Sequence, residues 1–328
     1  MSAETSGLAV VIPVWNLPDD LKALLRQIVA TGLFSQIVIS DDGSEMSCDP
    51  RDLGLQDELA GIDVIYLRSD LQRGAGHARN LGLDAVTAGN VIFFDADDRF
   101  SDALPEIFQQ HVDAGCPDFT MFRHSDTRVE ETENRRGTFE SEESIWRQVL
   151  GSDPVRMLSL RERADLVMIS AYPWNKIYRT SFLRQNGITC SETPVHNDIR
   201  LHWLSFLKAK DVQISRDIGA LHVIGDRGHH LTARSGSERL CIGGIIHDLT
   251  VQLRSTPGSQ IMMQSFIQFV DKICMWNLRQ VEPALVPAFR QLTVEAYLGF
   301  TPAEFRMFAT RQPARAEQVV QFLMSEGV

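Results

Sequence analysis

The chain alternates short, almost wholly apolar runs with amphipathic segments. Leu8-Ala9-Val10-Val11-Ile12-Pro13-Val14 is a near-continuous apolar run, the pattern of a strand covered on both faces of a parallel sheet. Pro18, Asp19 and Asp20 then open a helix in which Leu21, Leu24, Leu25 and Ile28 recur at helical spacing, and Gly32 closes it. Residues 36–40 form a second short apolar strand that runs into the turn Asp41-Asp42-Gly43-Ser44, and residues 62–67 form a third. Gly74-Ala75-Gly76 leads into a helix through Ala78, Leu81, Leu83 and Val86, closed by Gly89. Asn90-Val91-Ile92-Phe93-Phe94 follows, and ends abruptly in Asp95-Ala96-Asp97-Asp98. The order β-α-β-(loop)-β-α-β predicts a mostly parallel sheet flanked by helices, with ligands bound outside the carboxyl ends of its strands.

Further along, the pattern predicts a helix over about 101–114 and a strand over 118–123. Residues 128–143 are highly charged and weakly apolar, which predicts an exposed loop or mobile flap. Pro173-Trp174-Asn175-Lys176-Ile177-Tyr178 precedes an amphipathic segment ending near Gly187. His196-Asn197-Asp198 begins a helix that carries Ile199, Leu201, Trp203, Leu204 and Leu207. Two short strands over 212–218 and 220–224 lead to a basic stretch with Arg227, His229, His230 and Arg234. Beyond Ser235 the pattern becomes long and helical, which places a boundary near 235. Residues 261–278, rich in Met, Phe, Ile and Trp at helical spacing, fit a core or dimer helix. The alternative is an interfacial membrane helix, against which Lys and Arg are too sparse.

Three strand ends deliver polar residues to one crevice: Asn16, Asp41 with Asp42, and Asp95 with Asp97. Three carboxylates within four positions repel one another unless donors or a cation neutralise them, and a hard divalent ion is the expected neutraliser. The alternative for Asp97 and Asp98 is capping of a helix N-terminus.

Composition narrows the function classes. The 328 residues are 44% hydrophobic and 23% charged, as expected of a globular protein with one large core and a smaller appendage. Lys plus Arg total 32 against 43 Asp plus Glu, a formal charge of −11, which disfavours a general nucleic-acid binder. Cys48, Cys116, Cys190, Cys241 and Cys274 are far apart and include no CxxC pair, so neither a disulfide framework nor a zinc site is expected. No leader-like or membrane-spanning run is present, so a cytoplasmic location is expected, with peripheral association at the inner face of the membrane compatible with it. Gly74-Ala75-Gly76 lacks the third glycine of a dinucleotide fingerprint, and the P-loop, GxSxG and HExxH signatures are absent.

Val11-Ile12-Pro13-Val14-Trp15-Asn16, Ile39-Ser40-Asp41-Asp42-Gly43-Ser44, Gly76-His77-Ala78-Arg79-Asn80-Leu81-Gly82 and Phe94-Asp95-Ala96-Asp97-Asp98 resemble, in order and spacing, the successive blocks of glycosyltransferase family 2. The resemblance covers roughly residues 8–235. It implies a GT-A nucleotide-diphospho-sugar transferase fold over 1–235, with a nucleotide-sugar half at about 8–100 and an acceptor half at about 101–235. Residues 236–328 would form a C-terminal helical extension.

The resemblance also implies roles. Pro13, Trp15, Asn16, Asp42, Arg79, Asp95, Ala96 and Asp97 fall at nucleotide-sugar-binding positions: an indole face suits stacking on a base, although a core Trp15 is the plain alternative. Asp42 would accept a hydrogen bond from the base. Asp95-Ala96-Asp97 resembles the DxD motif, whose acids hold the ribose and a Mn²⁺ or Mg²⁺ ion bridging the diphosphate; Asp97, Asp98 and His230 are the metal candidates. Asp198 matches the catalytic base, with capping of the helix at Ile199 as its alternative. Asn197 stands where the family usually has glutamate. Trp174, Lys176, His196 and Asn197 would line the acceptor side, Trp174 by stacking on a sugar, with a core role as its equal alternative.

The expected function is an inverting, metal-dependent glycosyltransferase that moves a sugar from a nucleotide donor, UDP-linked, to a hydroxyl of a glycan or lipid-linked glycan in surface-polysaccharide synthesis. The rival, motivated by Asn197, is a catalytically silent sugar-nucleotide or glycan-binding module of the same fold. Nucleic acid is not an expected partner; a homodimer through the C-terminal helices is compatible with the pattern.

Overall fold

A computed structural model describes residues 7–224 and 234–328. The chain runs through β1 (Leu8–Val14), α1 (Pro18–Thr31), β2 (Gln36–Asp41), β3 (Asp63–Arg68), α2 (Ala75–Ala85) and β4 (Asn90–Phe93). It continues with β5 (Arg99–Phe100), α3 (Leu104–Asp113), β6 (Phe119–Asp126), α4 (Thr127–Glu133), α5 (Glu140–Leu150), β7 (Val155–Met157) and α6 (Leu160–Leu166). Then come β8 (Lys176–Arg179), α7 (Thr180–Gln185), α8 (Ile199–Lys208) and β9 (Val212–His222). The chain ends with α9 (Ile242–Ser255), α10 (Gln260–Leu278), α11 (Val286–Leu298), α12 (Pro302–Arg311) and α13 (Pro313–Ser325).

One sheet organises these elements, in the order β3-β2-β1-β4-β8-β6-β9-β5, with β7 on the flank of β9. The first four strands are parallel, so the carboxyl ends of β1, β2 and β4 open on the same edge. Past β4 the sheet is mixed: β8 runs antiparallel to both β4 and β6, while β6 and β9 are parallel. Every residue of β1 is buried, as its unbroken apolar run requires.

Side chains alternate between two cores. Leu8, Val10 and Ile12 face α1 with Leu21, Leu24 and Leu25, whereas Ala9, Val11 and Phe93 face the other layer, where α8 and the C-terminal helices pack. Trp203 of α8 meets Phe266 and Phe269 of α10 edge-on and tilted, at ring separations of 5.1 and 5.2 Å. The C-terminal helices therefore share the core of the sheet. Glycines seat α2: a methyl at Gly82 would lie 2.4 Å from Val11 Cγ1, and one at Gly76 would lie 2.0 Å from the Ser191 carbonyl.

Residues 128–143, expected as an exposed loop, instead contribute to α4 and α5. Asp126 caps α4 by accepting from the Arg128 amide at 2.9 Å. Two of the acids that suggested a solvated loop turn inward. Glu143 accepts from Arg123 at 2.7 Å and from the Thr138 amide at 2.9 Å, and Glu142 accepts from the Ser170 amide at 2.8 Å. The two short strands expected over 212–224 are one strand, bulged opposite Phe122–His124. Among the described residues no helix is long and apolar enough to cross a membrane.

Because Trp203 joins α8 to α10, Trp203→Ala should cost about 3–5 kcal/mol in chemical denaturation, the range for deleting a buried aromatic. Met324→Ser, at a 70% exposed position of α13, should change stability by less than about 0.5 kcal/mol in the same assay.

Candidate active site

The site forms where β1, β2 and β4 end. Asn16 follows β1 with a left-handed φ of 53°, which Asn tolerates better than most residues. Its amide donates to Ser44 Oγ at 2.8 Å and its Oδ1 accepts from the Glu45 amide at 2.7 Å, tying the loop after β1 to the loop after β2. Asp41 shapes that second loop: Oδ1 accepts from the Ser44 amide at 2.8 Å and Oδ2 from the Tyr66 hydroxyl at 2.6 Å. Asp42 reaches across to the start of α2, where its carboxylate accepts from the amides of Arg73 and Gly74 at 2.9 and 2.7 Å. Each carboxylate oxygen has a second lone pair, so Asp42 retains acceptor capacity toward a ligand. Pro13 and Ala96 are buried scaffold, whereas Trp15 is 41% exposed at the mouth and is not a core residue.

Arg79 is the centre of the arrangement. It is only 5% exposed, and its guanidinium donates to Asp95 Oδ1 at 2.6 Å and to Asn197 Oδ1 at 2.7 Å. One buried cation thus joins the end of β4 to the loop that precedes α8. Asn197 accordingly points inward and not toward an acceptor. Cys190 also lies against Arg79; burial pushes its thiol up to about 12, so it remains a neutral neighbour.

The acids after β4 are held unequally. Asp95 is paired with Arg79. Asp98 is 1% exposed and its Oδ1 accepts from His222 Nδ1 and the Val223 amide, both at 2.9 Å. Burial, with the adjacent Asp95 and Asp98, pushes Asp97 up to about 6. Asp97 is therefore the acid most in need of a counter-charge. Among the described residues no three His, Cys, Asp or Glu side chains form a ready-made metal cage. An ion of the Mg²⁺ kind is commonly held by one or two carboxylates together with substrate phosphates, and Asp97 with the remaining lone pairs of Asp98 fits that donor set. His230 lies outside the described residues.

Asp198 stands at the first turn of α8 and is half-buried. Its side chain makes no capping bond to the helix, so the capping alternative has no hydrogen bond behind it. Burial raises its pKa, opposed chiefly by Arg79.

The other expected acceptor-side residues are not presented to solvent as expected. Trp174 is 1% exposed and stacks on Tyr172 at 4.5 Å, with His124 edge-on at 4.9 Å; its ring is enclosed and offers no free face to a sugar. Lys176 is fully buried. His196 turns to α10, where Nε2 donates to Asn277 Oδ1 at 3.1 Å and burial pushes its pKa down to about 4. Trp174 lies in the turn before β8 and Lys176 opens that strand, and neighbouring side chains close over both. His222, which holds Asp98, escaped the sequence reading, although its place at the end of a strand is the signal that marked Asp42 and Asp95.

Comparison with known proteins bears on this geometry. A family model, Glycosyl transferase family 2, matches residues 9–184. A relative from Escherichia coli K12, an uncharacterized glycosyltransferase YibD, is 24% identical over 212 residues, covering 61% of this chain and 56% of its own length. The match thus spans about half of that relative. The S. aureus TarS structure of residues 1–349 superposes with a TM-score of 0.72 at 14% identity, over 97% of this chain and 88% of TarS. Its complex with UDP-GlcNAc gives 0.75 at 15% identity, with the same coverage. The mannosyltransferase PcManGT from Pyrobaculum calidifontis, in complex with GDP-Man and Mn²⁺, gives 0.58 at 13% identity over 98% of this chain and 88% of its own. At these identities the structural matches establish a shared fold.

Removing the shared cation should unfasten the site. Arg79→Met is expected to cost about 3 kcal/mol in urea denaturation, the low end for removing one member of a buried ion pair. Arg79→Lys should recover only part of that loss, because an ammonium lacks the planar fork that serves two acceptors.

Proposed function

The chain belongs to glycosyl transferase family 2, and on that premise we propose that it is an inverting, divalent-metal-dependent transferase. It moves a sugar from a nucleoside-diphosphate donor, UDP-linked, to a hydroxyl of a glycan or lipid-linked glycan during surface-polysaccharide synthesis at the cytoplasmic side of the membrane. The observation that carries the reading is the Arg79 bridge between Asp95 and Asn197, which puts the DxD acids and Asp198 on one buried support.

The division of labour follows from that placement. Trp15, exposed beside the loops after β1 and β2, offers an indole face to the base, and Asp42 offers its spare lone pairs to a ring N–H. Asp95, Asp97 and Asp98 face the diphosphate. Asp97, with Asp98 beside it, would hold Mn²⁺ or Mg²⁺, which when bound stabilises the charge gathering on the departing diphosphate. Asp198 takes the proton of the acceptor hydroxyl as that oxygen attacks the anomeric carbon from the face opposite the leaving group, which inverts the configuration. Burial raises the Asp198 pKa and makes it a stronger base than a solvated carboxylate, and Arg79 opposes that rise.

Asn197 was the reason to consider a silent binding module. Its side chain faces Arg79 and leaves Asp198 free, so replacement of the glutamate removes a charge from the support without displacing the base. The PcManGT complex holds GDP-Man and the TarS complex UDP-GlcNAc, so a donor screen should include both nucleotides.

UDP-sugars and GDP-sugars, each with Mn²⁺, are to be screened by thermal shift. A donor at about 100 times its dissociation constant adds about 2.7 kcal/mol to stability, a readily measured rise in Tm. If none raises Tm, the donor-site assignment is wrong. With the donor so found, Asp198→Asn should lower transfer by about 10²–10⁴-fold, the usual contribution of a general base, and leave the donor-induced shift intact. Asp97→Asn should abolish the part of that shift that depends on Mn²⁺.

A further inference from the structure

The turn that delivers Asp198 is fastened residue by residue. Asn197 is held by Arg79 of α2, and the two residues before it are held from the C-terminal part of the chain. Cys241, which leads into α9, donates its thiol to the Val195 carbonyl at 3.4 Å, and His196 Nε2 meets Asn277 Oδ1 of α10 at 3.1 Å. Three consecutive residues ahead of Asp198 are thus tied to three different parts of the fold.

His196 is the strained member of the three. Its φ of 60° is left-handed, a region that residues with a side chain rarely occupy, though His enters it more readily than most. Such a conformation persists only where the surroundings over-determine it. Here the imidazole packs edge-on against Trp276 at a ring separation of 5.9 Å, beside the bond to Asn277.

A third partner fixes the direction of that bond. Arg239 is 1% exposed, donates from Nη1 to the same Asn277 Oδ1 at 2.7 Å, and lies 4.7 Å from the centre of the Trp276 ring. A guanidinium only donates, so the shared atom of Asn277 has to be its carbonyl oxygen. The amide nitrogen of Asn277 goes to the Ile273 carbonyl at 2.9 Å. His196 therefore carries its proton on Nε2 and donates, and burial keeps the ring neutral. Asn277 is itself fully buried, on the helix whose Phe266 and Phe269 pack against Trp203, so the core sets its position.

We infer that His196 and Asn277 are a positioning pair: their hydrogen bond hooks the turn before Asp198 onto α10 and sets where the base carboxylate stands. Neither side chain touches the acceptor. The C-terminal helices become a working part of the site through this one contact. The catalytic meaning rests on Asp198 being the base, but the hook itself is testable without any substrate.

Two variants of His196 separate the hydrogen bond from packing and backbone strain. Gln and Met are alike in shape and share the cost of a left-handed φ, but only Gln can donate from a nitrogen near the Nε2 position. With the donor identified by thermal shift, H196M should lower kcat by about 10- to 100-fold, the scale of a misplaced catalytic group. The donor KM and the donor-induced rise in Tm should stay unchanged. H196Q should regain most of the lost rate. N277A should reproduce H196M, and the double variant should be no slower than either single one. Equal kcat in H196M and H196Q, or losses that multiply in the double variant, would overturn the inference. Should N277A fail to fold, because it strips an acceptor from Arg239, the comparison of H196M with H196Q decides alone.

Hydrogen exchange supplies a readout that needs no turnover. The Ser191 amide donates to the Asn197 carbonyl at 2.8 Å and the Ile199 amide to the His196 carbonyl at 3.4 Å, so both report on the turn. H196M should speed exchange in the peptides that contain them by about three- to tenfold, the weight of one hydrogen bond, and H196Q should not. Exchange that is alike in the two variants would refute the hook. If D198N transfers at the wild-type rate, the base assignment falls, while exchange still decides whether the pair holds the turn.

Discussion

A single guanidinium, buried and shared, sets the terms for the polar centre of this protein. Arg79 cannot shed its charge, so the fold must surround it with acceptors. It does so with one oxygen from Asp95 at the end of β4 and one from Asn197 just before α8. The first follows a strand of the sheet and the second lies in the turn before a helix packed on it, so an interaction of about 2.7 Å at each end ties the two layers together. The other site residues are arranged around it. Asp42 anchors the start of the helix that carries Arg79, Asp97 and Asp98 follow Asp95, and Asp198 follows Asn197. The bridge holds these residues in fixed relation to one another.

Charge is distributed with similar economy in the remainder of the core. Asp98 is kept by His222 and a backbone amide, and Asp118 by Arg179 with the amides of Lys210 and Asp211. Asp271 is held by Tyr297 and Arg315. In each case an acid that would be costly to bury is surrounded by donors. Asp97 and Lys176 depart from that pattern. Among the described residues the first is an acid without a hydrogen-bonded counter-ion, and the second is a cation whose hydrogen bonds go to neutral partners.

Much of this was readable in the sequence, for an identifiable reason. Strands buried on both faces have to be apolar throughout, so β1, β2 and β4 declared themselves, and so did the polar residues at their ends. The helix α1 carried Pro at its start and Gly in a left-handed cap at its end, and both boundaries were legible. Legibility failed where polar residues are buried by distant partners. Glu142 and Glu143 look like loop residues until Ser170 and Arg123 are placed beside them. Trp174, His196 and Lys176 look like ligand-facing residues because their types suit sugars; their burial is decided by Tyr172, α10 and β6, which no local pattern announces. His222 pairs with an acid 124 positions away.

The bare surfaces of Gly76 and Gly82 have a consequence for how such a chain can diverge. Through them α2 lies directly on the Ser191 carbonyl on one flank and on Val11 and Ser40 on the other, with no side chain to act as a cushion. A helix seated this closely, on a backbone carbonyl at Gly76 and on the Val11 and Ser40 side chains at Gly82, has no room for an added methyl at either point. Variation along α2 is therefore left to its other positions, and these two are in effect held as glycine.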